Sequence, residues 1–378
     1  MPPVRILHLH SSFSLGGKEA RATRLMNLMA DRAVHVVLSA VPDALGARAA
    51  IDAAVAAEFP GDDRAVPLHG KPGLARYRRL ARYMQGFDLV LSYNWGAMDG
   101  VMAHRLFGAI MPLPPLIHHE DGFNEDESVR RNWKRNGFRR LALPTARALV
   151  VPSQLLVGIA RTEWGASART RLIRNGIDVA AYARPPDMAI PGLERRAGEV
   201  VIGTVAGLRA VKDLPRLVRA VAALPKPVRL VIVGEGPERA AILAEAARLS
   251  MADRLVMPGF MTSPHRWIGH FDLLALSSRS EQAPIAVIEA MAAGLPVASL
   301  NVGDVAAMVA PENSAFIADD DAALVAALRQ LAADAMLRTS VGAANAARAA
   351  ALFAEQTMVA AYGALYGAAL GGRNLFAD

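Results

Sequence analysis

Short runs of apolar, β-branched residues alternate along this chain with longer segments in which Ala, Leu and Arg recur at helical spacing. Val4–Leu9 predicts the first strand and Gly16–Asp31 the helix after it. Val34–Leu38, Leu89–Tyr93, Pro115–Ile117 and Ala148–Val151 predict further strands, with helices over Arg76–Gln85 and Asp99–Phe107 between them. Strands that are apolar on both faces belong in a parallel sheet covered by helices. The rhythm breaks at Asn175–Asp178, where NGID is a turn signal. It stays broken over Arg184–Gly198, rich in Pro, Gly and charge, where a linker is expected. Strands are then predicted at Val200–Ala206, Arg229–Val233, Leu255–Met257, Leu273–Leu276 and Val297–Leu300. The helices among them are Leu214–Ala223, Glu238–Leu249, Ile285–Ala293, Ala322–Ala333 and Ala335–Phe353, with a last one over Glu355–Leu370. The two halves share one α/β design. They predict two doubly wound domains facing across a cleft, with ligands beyond the carboxyl ends of the strands.

Composition narrows the class. The 378 residues suit two or three domains, and 53% hydrophobic with 20% charged residues excludes general disorder. The absence of cysteine excludes a disulfide scaffold, a thiol nucleophile and a Cys-ligated metal. No secretory signal is expected from MPPVRILHLH, and no apolar stretch reaches membrane-spanning length before an Arg, Asp or Pro interrupts it. A cytoplasmic protein is expected, peripheral at most on the inner face of the plasma membrane. The formal charge of +7 matters through its placement. Ser128–Arg140 holds Arg130, Arg131, Lys134, Arg135, Arg139 and Arg140, interleaved with Trp133 and Phe138. Lys71–Arg82 adds Arg76, Arg78, Arg79 and Arg82 with Tyr77 and Leu80. Such clusters are either plain solvated helices or an interfacial surface for anionic lipid. No nucleic-acid recognition motif accompanies them, so no nucleic-acid partner is expected.

Four segments at predicted strand ends can carry chemistry. Leu15-Gly16-Gly17-Lys18-Glu19 opens the first helix, where glycines admit a close ligand and free N–H groups suit an anion, although a plain turn would look alike. Val233-Gly234-Glu235-Gly236-Pro237-Glu238 begins like a dinucleotide fingerprint, but Arg239 replaces its third glycine. Gly207-Leu208-Arg209-Ala210-Val211-Lys212-Asp213 puts two cations three residues apart after a strand, which can neutralise a pyrophosphate. Lys at a helix start opposes the dipole, which favours a ligand-binding role over a solvated face. In Ser277–Val297, Glu281 precedes a helix and Glu289 lies within it. One carboxylate can hold sugar hydroxyls and the other a ribose diol, with backbone amides between them for phosphates.

Glu281-x7-Glu289 followed by Ala290-Met291-Ala292-Ala293-Gly294-Leu295-Pro296-Val297 resembles the signature of family 4 glycosyltransferases. Gly16-Gly17, Asn175-Gly176-Ile177-Asp178, Arg209-x-x-Lys212 and Val233-Gly234-x-Gly236-Pro237 are similar to that family in the same order, across nearly the whole chain. The resemblance implies a GT-B fold. Residues 1–180, with the returning 355–378, would form an acceptor-binding Rossmann-like domain, and 198–354 the nucleotide-sugar domain. It implies a retaining hexosyltransferase that takes a UDP- or GDP-sugar as co-substrate and requires no metal or other cofactor. Arg209 and Lys212 would stabilise the departing diphosphate, and Glu281 would hold the donor sugar. Gly16, Gly17, Gly207, Gly234, Gln282, Pro284 and the amides of Ala283 and Ile285 would line the donor. Glu289 would bind the ribose, and Met257–Met261 would lie near the base, Met261 among them.

Gln282 and Ala283 depart from the family pattern, as does Gly303-Asp304 in place of a glycine pair. Asp121 stands where the family often has His, just after His118-His119-Glu120. Any of His118, His119 and Asp121 could face the donor sugar, or the histidines could simply fill hydrogen bonds. A metal on these adjacent side chains would need partners from elsewhere. With the basic clusters, the expected acceptor is a lipid, a lipid-linked glycan or an envelope polysaccharide. The alternatives are a non-catalytic sugar-nucleotide-binding protein of this fold and an NAD-dependent Rossmann enzyme.

Overall fold

The computed structural model describes residues 2–14, 16–61, 65–68, 70–123, 127, 131–225 and 227–376. The chain divides into two compact units, Met1–Arg174 with Met358–Asp378, and Asn175–Thr357.

The first unit runs β1 (Val4–His10), α1 (Gly17–Met29), β2 (Ala33–Ser39), β3 (Ala57–Glu58), α2 (Leu74–Met84), β4 (Leu89–Tyr93), α3 (Met98–Phe107), β5 (Leu116–His119), α4 (Trp133–Ala142), β6 (Ala148–Val151), α5 (Gln154–Thr162) and β7 (Thr170–Leu172). Its sheet has the order β3-β2-β1-β4-β5-β6-β7, with every neighbouring pair of strands parallel. Alternation splits the strands between two cores. Leu7, Leu9, Val90, Leu116 and Leu149 pack under α2, α3 and α5. Val4, Ile6, Leu89, Leu91, Ile117 and Val150 pack under α1 and the chain's last helix. Arg5 is the only exposed residue of β1.

The second unit runs α6 (Val179–Tyr182), β8 (Val200–Val205), α7 (Leu214–Ala222), β9 (Val228–Val233), α8 (Arg239–Arg248), β10 (Leu255–Gly259), β11 (Leu273–Leu276), α9 (Ile285–Ala292), β12 (Val297–Leu300), α10 (Val305–Met308), β13 (Ile317–Ala318), α11 (Asp321–Ala333) and α12 (Ala335–Leu352). The sheet order is β10-β9-β8-β11-β12-β13, again parallel. Asp320 and Asp334 accept N–H bonds at the starts of α11 and α12, which fixes where these Ala-rich stretches become helical. The last helix, α13 (Glu355–Ala369), enters the first unit from Met358, burying Met358, Tyr362 and Tyr366.

Three strands escape the sequence pattern. β3, β7 and β13 hold two or three residues each, too few to show a period. Arg184–Gly198 contains no helix or strand, as its composition predicts. The chain changes unit earlier, however, at Arg174/Asn175. Residues after that point are held by the second unit: Ile177 bonds the Phe353 carbonyl at 2.9 Å, and Tyr182 and Ile190 join its core.

Candidate active site

The loops leaving the carboxyl ends of β8, β9, β11 and β12 are stitched together by their backbones. Leu208 N–H donates to the Glu235 carbonyl at 2.9 Å, and Glu238 N–H to that of Leu208 at 3.0 Å. Gly234 N–H donates to the Gly259 carbonyl at 2.9 Å. Gly207 and Arg209 are exposed, with the Arg209 side chain folded back over Gly207. After them Asp213 takes a left-handed conformation at φ 43°, rare for a residue with a side chain. Ser277 Oγ, bonded to the Asp213 carbonyl at 2.9 Å, and Arg279 Nε, at 2.8 Å from the Asp213 carboxylate, hold it there. That turn brings Lys212 Nζ to 2.6 Å from Glu281 Oε1, which Ser278 Oγ also reaches at 2.7 Å. The sequence-predicted cation and carboxylate are thus one half-buried ion pair. Asp213, Ser277, Ser278 and Arg279, which build it, carry no sequence signal of their own.

Gln282 is set against the next loop. Its carbonyl accepts from Asp304 N–H at 2.8 Å, and Gly303 at φ 57° passes so close that a Cβ would lie 2.6 Å from that oxygen. Only glycine fits there. α9 starts immediately afterwards at Ile285. Among the described residues the amides of Ala283, Ile285 and Ala286 meet no backbone carbonyl, so the helix start can receive an anion. Asn175 Nδ2 donates to the Ala283 carbonyl at 3.2 Å, which brings the NGID turn to this helix end. Glu289 is 9% exposed and accepts from Tyr182 Oη at 2.9 Å. Burial pushes its carboxyl up to about 7, against the opposing effect of the tyrosine hydrogen bond. Met261 is half-buried against the apolar core beneath this site.

At the strand ends of the first unit, Gly16 and Gly17 are exposed at the start of α1. Glu19 turns back over Gly16 and pairs with Lys18, whose Nζ also reaches the Ser12 carbonyl at 3.0 Å. Asp121 is gripped in a fork by Arg21, Oδ1 at 2.6 Å and Oδ2 at 2.9 Å, and its N–H donates to Asn94 Oδ1 at 2.7 Å. Burial pushes the Asp121 carboxyl up, but the Arg21 charge and its hydrogen bonds bring it below the usual range. Arg21 was invisible as its partner, one hundred positions away. His118 and His119 are both buried within the sheet. His118 Nδ1 lies 2.9 Å from Ser92 Oγ, while His119 stacks on Tyr93 and lies 3.2 Å from Tyr366 Oη. Burial and the Arg21 charge push His119 down to about 3, so it is neutral near pH 7. Of the three, Asp121 is the one beyond the strand end. No group of three described His, Asp or Glu residues is placed to share a metal ion.

The basic, aromatic stretch is less uniform than its composition. Leu15, Ser128 and Arg130 lie outside the described residues. Arg131 pairs with Glu163, Arg135 with Glu127, and Arg139 is fully buried at 3.1 Å from Glu120 beneath Trp95, Phe123 and Trp164. Phe138 packs inward, edge-on to Trp95. Trp133 is 77% exposed, with Lys134 beside its ring and Arg140 also exposed. In the second basic cluster, Arg76 is buried with Asp99, whereas Arg78, Arg79 and Arg82 are exposed. No described helix is long and apolar enough to cross a membrane.

The family profile "Glycosyltransferase Family 4" matches residues 15–181 and "Glycosyl transferases group 1" matches residues 199–334. No curated protein sequence matches the chain. Among solved structures, Anabaena HepE in complex with UDP superposes with a TM-score of 0.79 at 19% identity, over 96% of this chain and 100% of that one. Sucrose-phosphate synthase from Thermosynechococcus elongatus gives a TM-score of 0.74 at 20% identity, over 98% and 100%. The lipopolysaccharide outer core galactosyltransferase WaaB, in its apo form, gives 0.69 at 12% identity, over 96% and 99%.

Proposed function

The chain belongs to the family 4 glycosyltransferases and is an enzyme with their GT-B fold, and from that premise we propose that it transfers a hexose-type sugar from UDP, with retention, to a lipid, lipid-linked or envelope-polysaccharide acceptor. The observation that carries the donor half is the Lys212–Glu281 pair beside the start of α9, with Glu289 farther along the same helix. Negative charge grows on the diphosphate as the sugar departs. Arg209, Lys212 and the amides at the start of α9 meet that charge. Glu281, released from Lys212 as the diphosphate takes the cation, accepts the sugar hydroxyls. Glu289 holds the ribose. The leaving phosphate takes the acceptor's proton, so no side chain need act as a strong base. UDP is favoured because HepE is seen with UDP and with UDP-glucose.

The acceptor half rests on the first unit's exposed Trp133, Lys134 and Arg140 and on Arg78, Arg79 and Arg82, an aromatic and cationic surface of the kind that meets anionic lipid. The presence of a lipopolysaccharide outer core galactosyltransferase among the similar structures agrees with it.

A thermal-shift series with UDP, GDP, ADP, CMP and NAD tests the donor. A ligand at about 100 times its Kd adds roughly 2.7 kcal/mol of stability. The expected outcome is a shift with UDP and none with NAD. A response to NAD alone, or to none of the five, would overturn the reading. Lys212→Ala should lower turnover on the order of 10²-fold, as the loss of an oxyanion contact does.

A further inference from the structure

Glu289 reaches its place without a charged partner. Among the described residues its one side-chain hydrogen bond is from Tyr182 Oη to Oε1, at 2.9 Å. No described donor is bonded to Oε2. The tyrosine is itself tightly fixed. It is 8% exposed at the end of α6, a single helical turn that Asp178 caps through Ala181 N–H at 3.2 Å. The turn before it is anchored by Ile177, which bonds the Phe353 carbonyl and the Glu355 N–H, each at 2.9 Å. His265 lies edge-on against the ring at 5.9 Å.

From this geometry we infer that Tyr182 is a positioning residue for the donor: its hydroxyl occupies one oxygen of Glu289 and turns the other toward the ribose diol. The inference rests on the assignment of Glu289 to the ribose. A lone carboxylate on a helix has several rotamers, and one charge-assisted hydrogen bond selects among them before the ligand arrives. The bond also favours the ionised form against the burial that disfavours it. The titratable groups around the pair are few. Asp178 caps the start of α6 and His265 lies beside the ring. Arg348 of the neighbouring α12 is turned to the Ala307 and Met308 carbonyls, and His270 to that of Met188.

UDP and 2′-deoxy-UDP are titrated against the full chain, Tyr182→Phe and Glu289→Gln, from pH 5.5 to 9, with GDP and its deoxy analogue in their place if the thermal-shift series selects guanine. Phe keeps the ring and loses only the donor. The unsubstituted chain should prefer the ribo form, with affinity rising with pH as Glu289 ionises. Tyr182→Phe should bind UDP about tenfold more weakly at pH 7, the loss expected for a hydrogen bond to a charged group. It should lose most of the preference over the deoxy form and show its pH limb displaced upward. Turnover at saturating donor should hold. Unchanged affinity, preference and pH limb in Tyr182→Phe, with Glu289→Gln impaired, would reduce Tyr182 to packing and leave Glu289 at the ribose. If Glu289→Gln also binds both nucleotides like the unsubstituted chain, the ribose assignment fails and the inference falls with it.

Discussion

Glu289, assigned to the ribose in the proposed function, is held buried at a cost in stability. Its carboxyl is pushed up from an ordinary value of 4.5 to about 7 by burial. Between those pH values the folded chain holds a proton that the unfolded chain has released. The associated stability is therefore fully present below about 4.5 and is lost as pH rises through about 7. Glu289→Gln removes this dependence, since an amide does not titrate. Its melting temperature should exceed that of the unsubstituted chain at pH 8, and the difference should close or reverse at pH 4.5. Melting curves across that range check it, and equal values at pH 8 would show that the carboxylate carries no burial penalty. Glu281 and Asp121 follow another rule, each meeting a cation directly. For these three carboxylates the residue types were legible in the sequence. Their partners Tyr182, Lys212 and Arg21 were not all so. Only Lys212 sat in a recognisable motif, and the others lie about a hundred positions away.

At the scale of elements, the second unit depends on how closely α12 lies on α9. Gly342 of α12 passes over the turn that ends α9, where a Cβ would come within 1.9 Å of the Gly294 carbonyl oxygen. Nearby, Asn345 fills its hydrogen bonds with the Leu295 carbonyl, Asn313 Oδ1 and Ala310 N–H, at 3.0, 2.8 and 3.0 Å. Gly342→Ala should push the helices apart and cost on the order of 1–3 kcal/mol, the usual price of overpacking. Denaturant unfolding reads this directly, and a cost near zero would mean that the contact yields easily. Because α9 carries Glu289, donor affinity should fall together with stability. Nothing in an Ala-rich helical pattern marks Gly342 as special. The constraint comes from the Gly294 backbone, at the far end of a separate stretch of chain.

For the whole molecule, charge is a question of which side chains remain unpaired. Composition gathers six cations into 128–140, but folding turns Arg139 into the buried sheet-side partner of Glu120 and ties Arg131 and Arg135 to Glu163 and Glu127. Among the described residues of the two clusters, Trp133, Lys134 and Arg140 face outward away from these pairs, with Arg78, Arg79 and Arg82 of α2. Sedimentation with phosphatidylglycerol vesicles should therefore carry the protein down at low salt and release it at about 0.5 M, where charge interactions are screened within roughly 5 Å. Trp133→Glu with Lys134→Glu should abolish the binding and leave folding intact, since both side chains are exposed. No sedimentation at low salt would remove the lipid surface from the proposed function.

The sequence by itself determined the two parallel sheets, because residues buried on both faces leave a continuous apolar run and helices between them leave a 3.6-residue period. It also determined the order of the candidate-site motifs, because each sits at a strand-to-helix junction that local turn chemistry marks. Tertiary structure alone decided which charges meet. A carboxylate's partner is set by the distance between elements, and sequence separation carries no record of that distance. Thus Asp121 belongs to Arg21, Glu289 to Tyr182, and Arg139 to the interior.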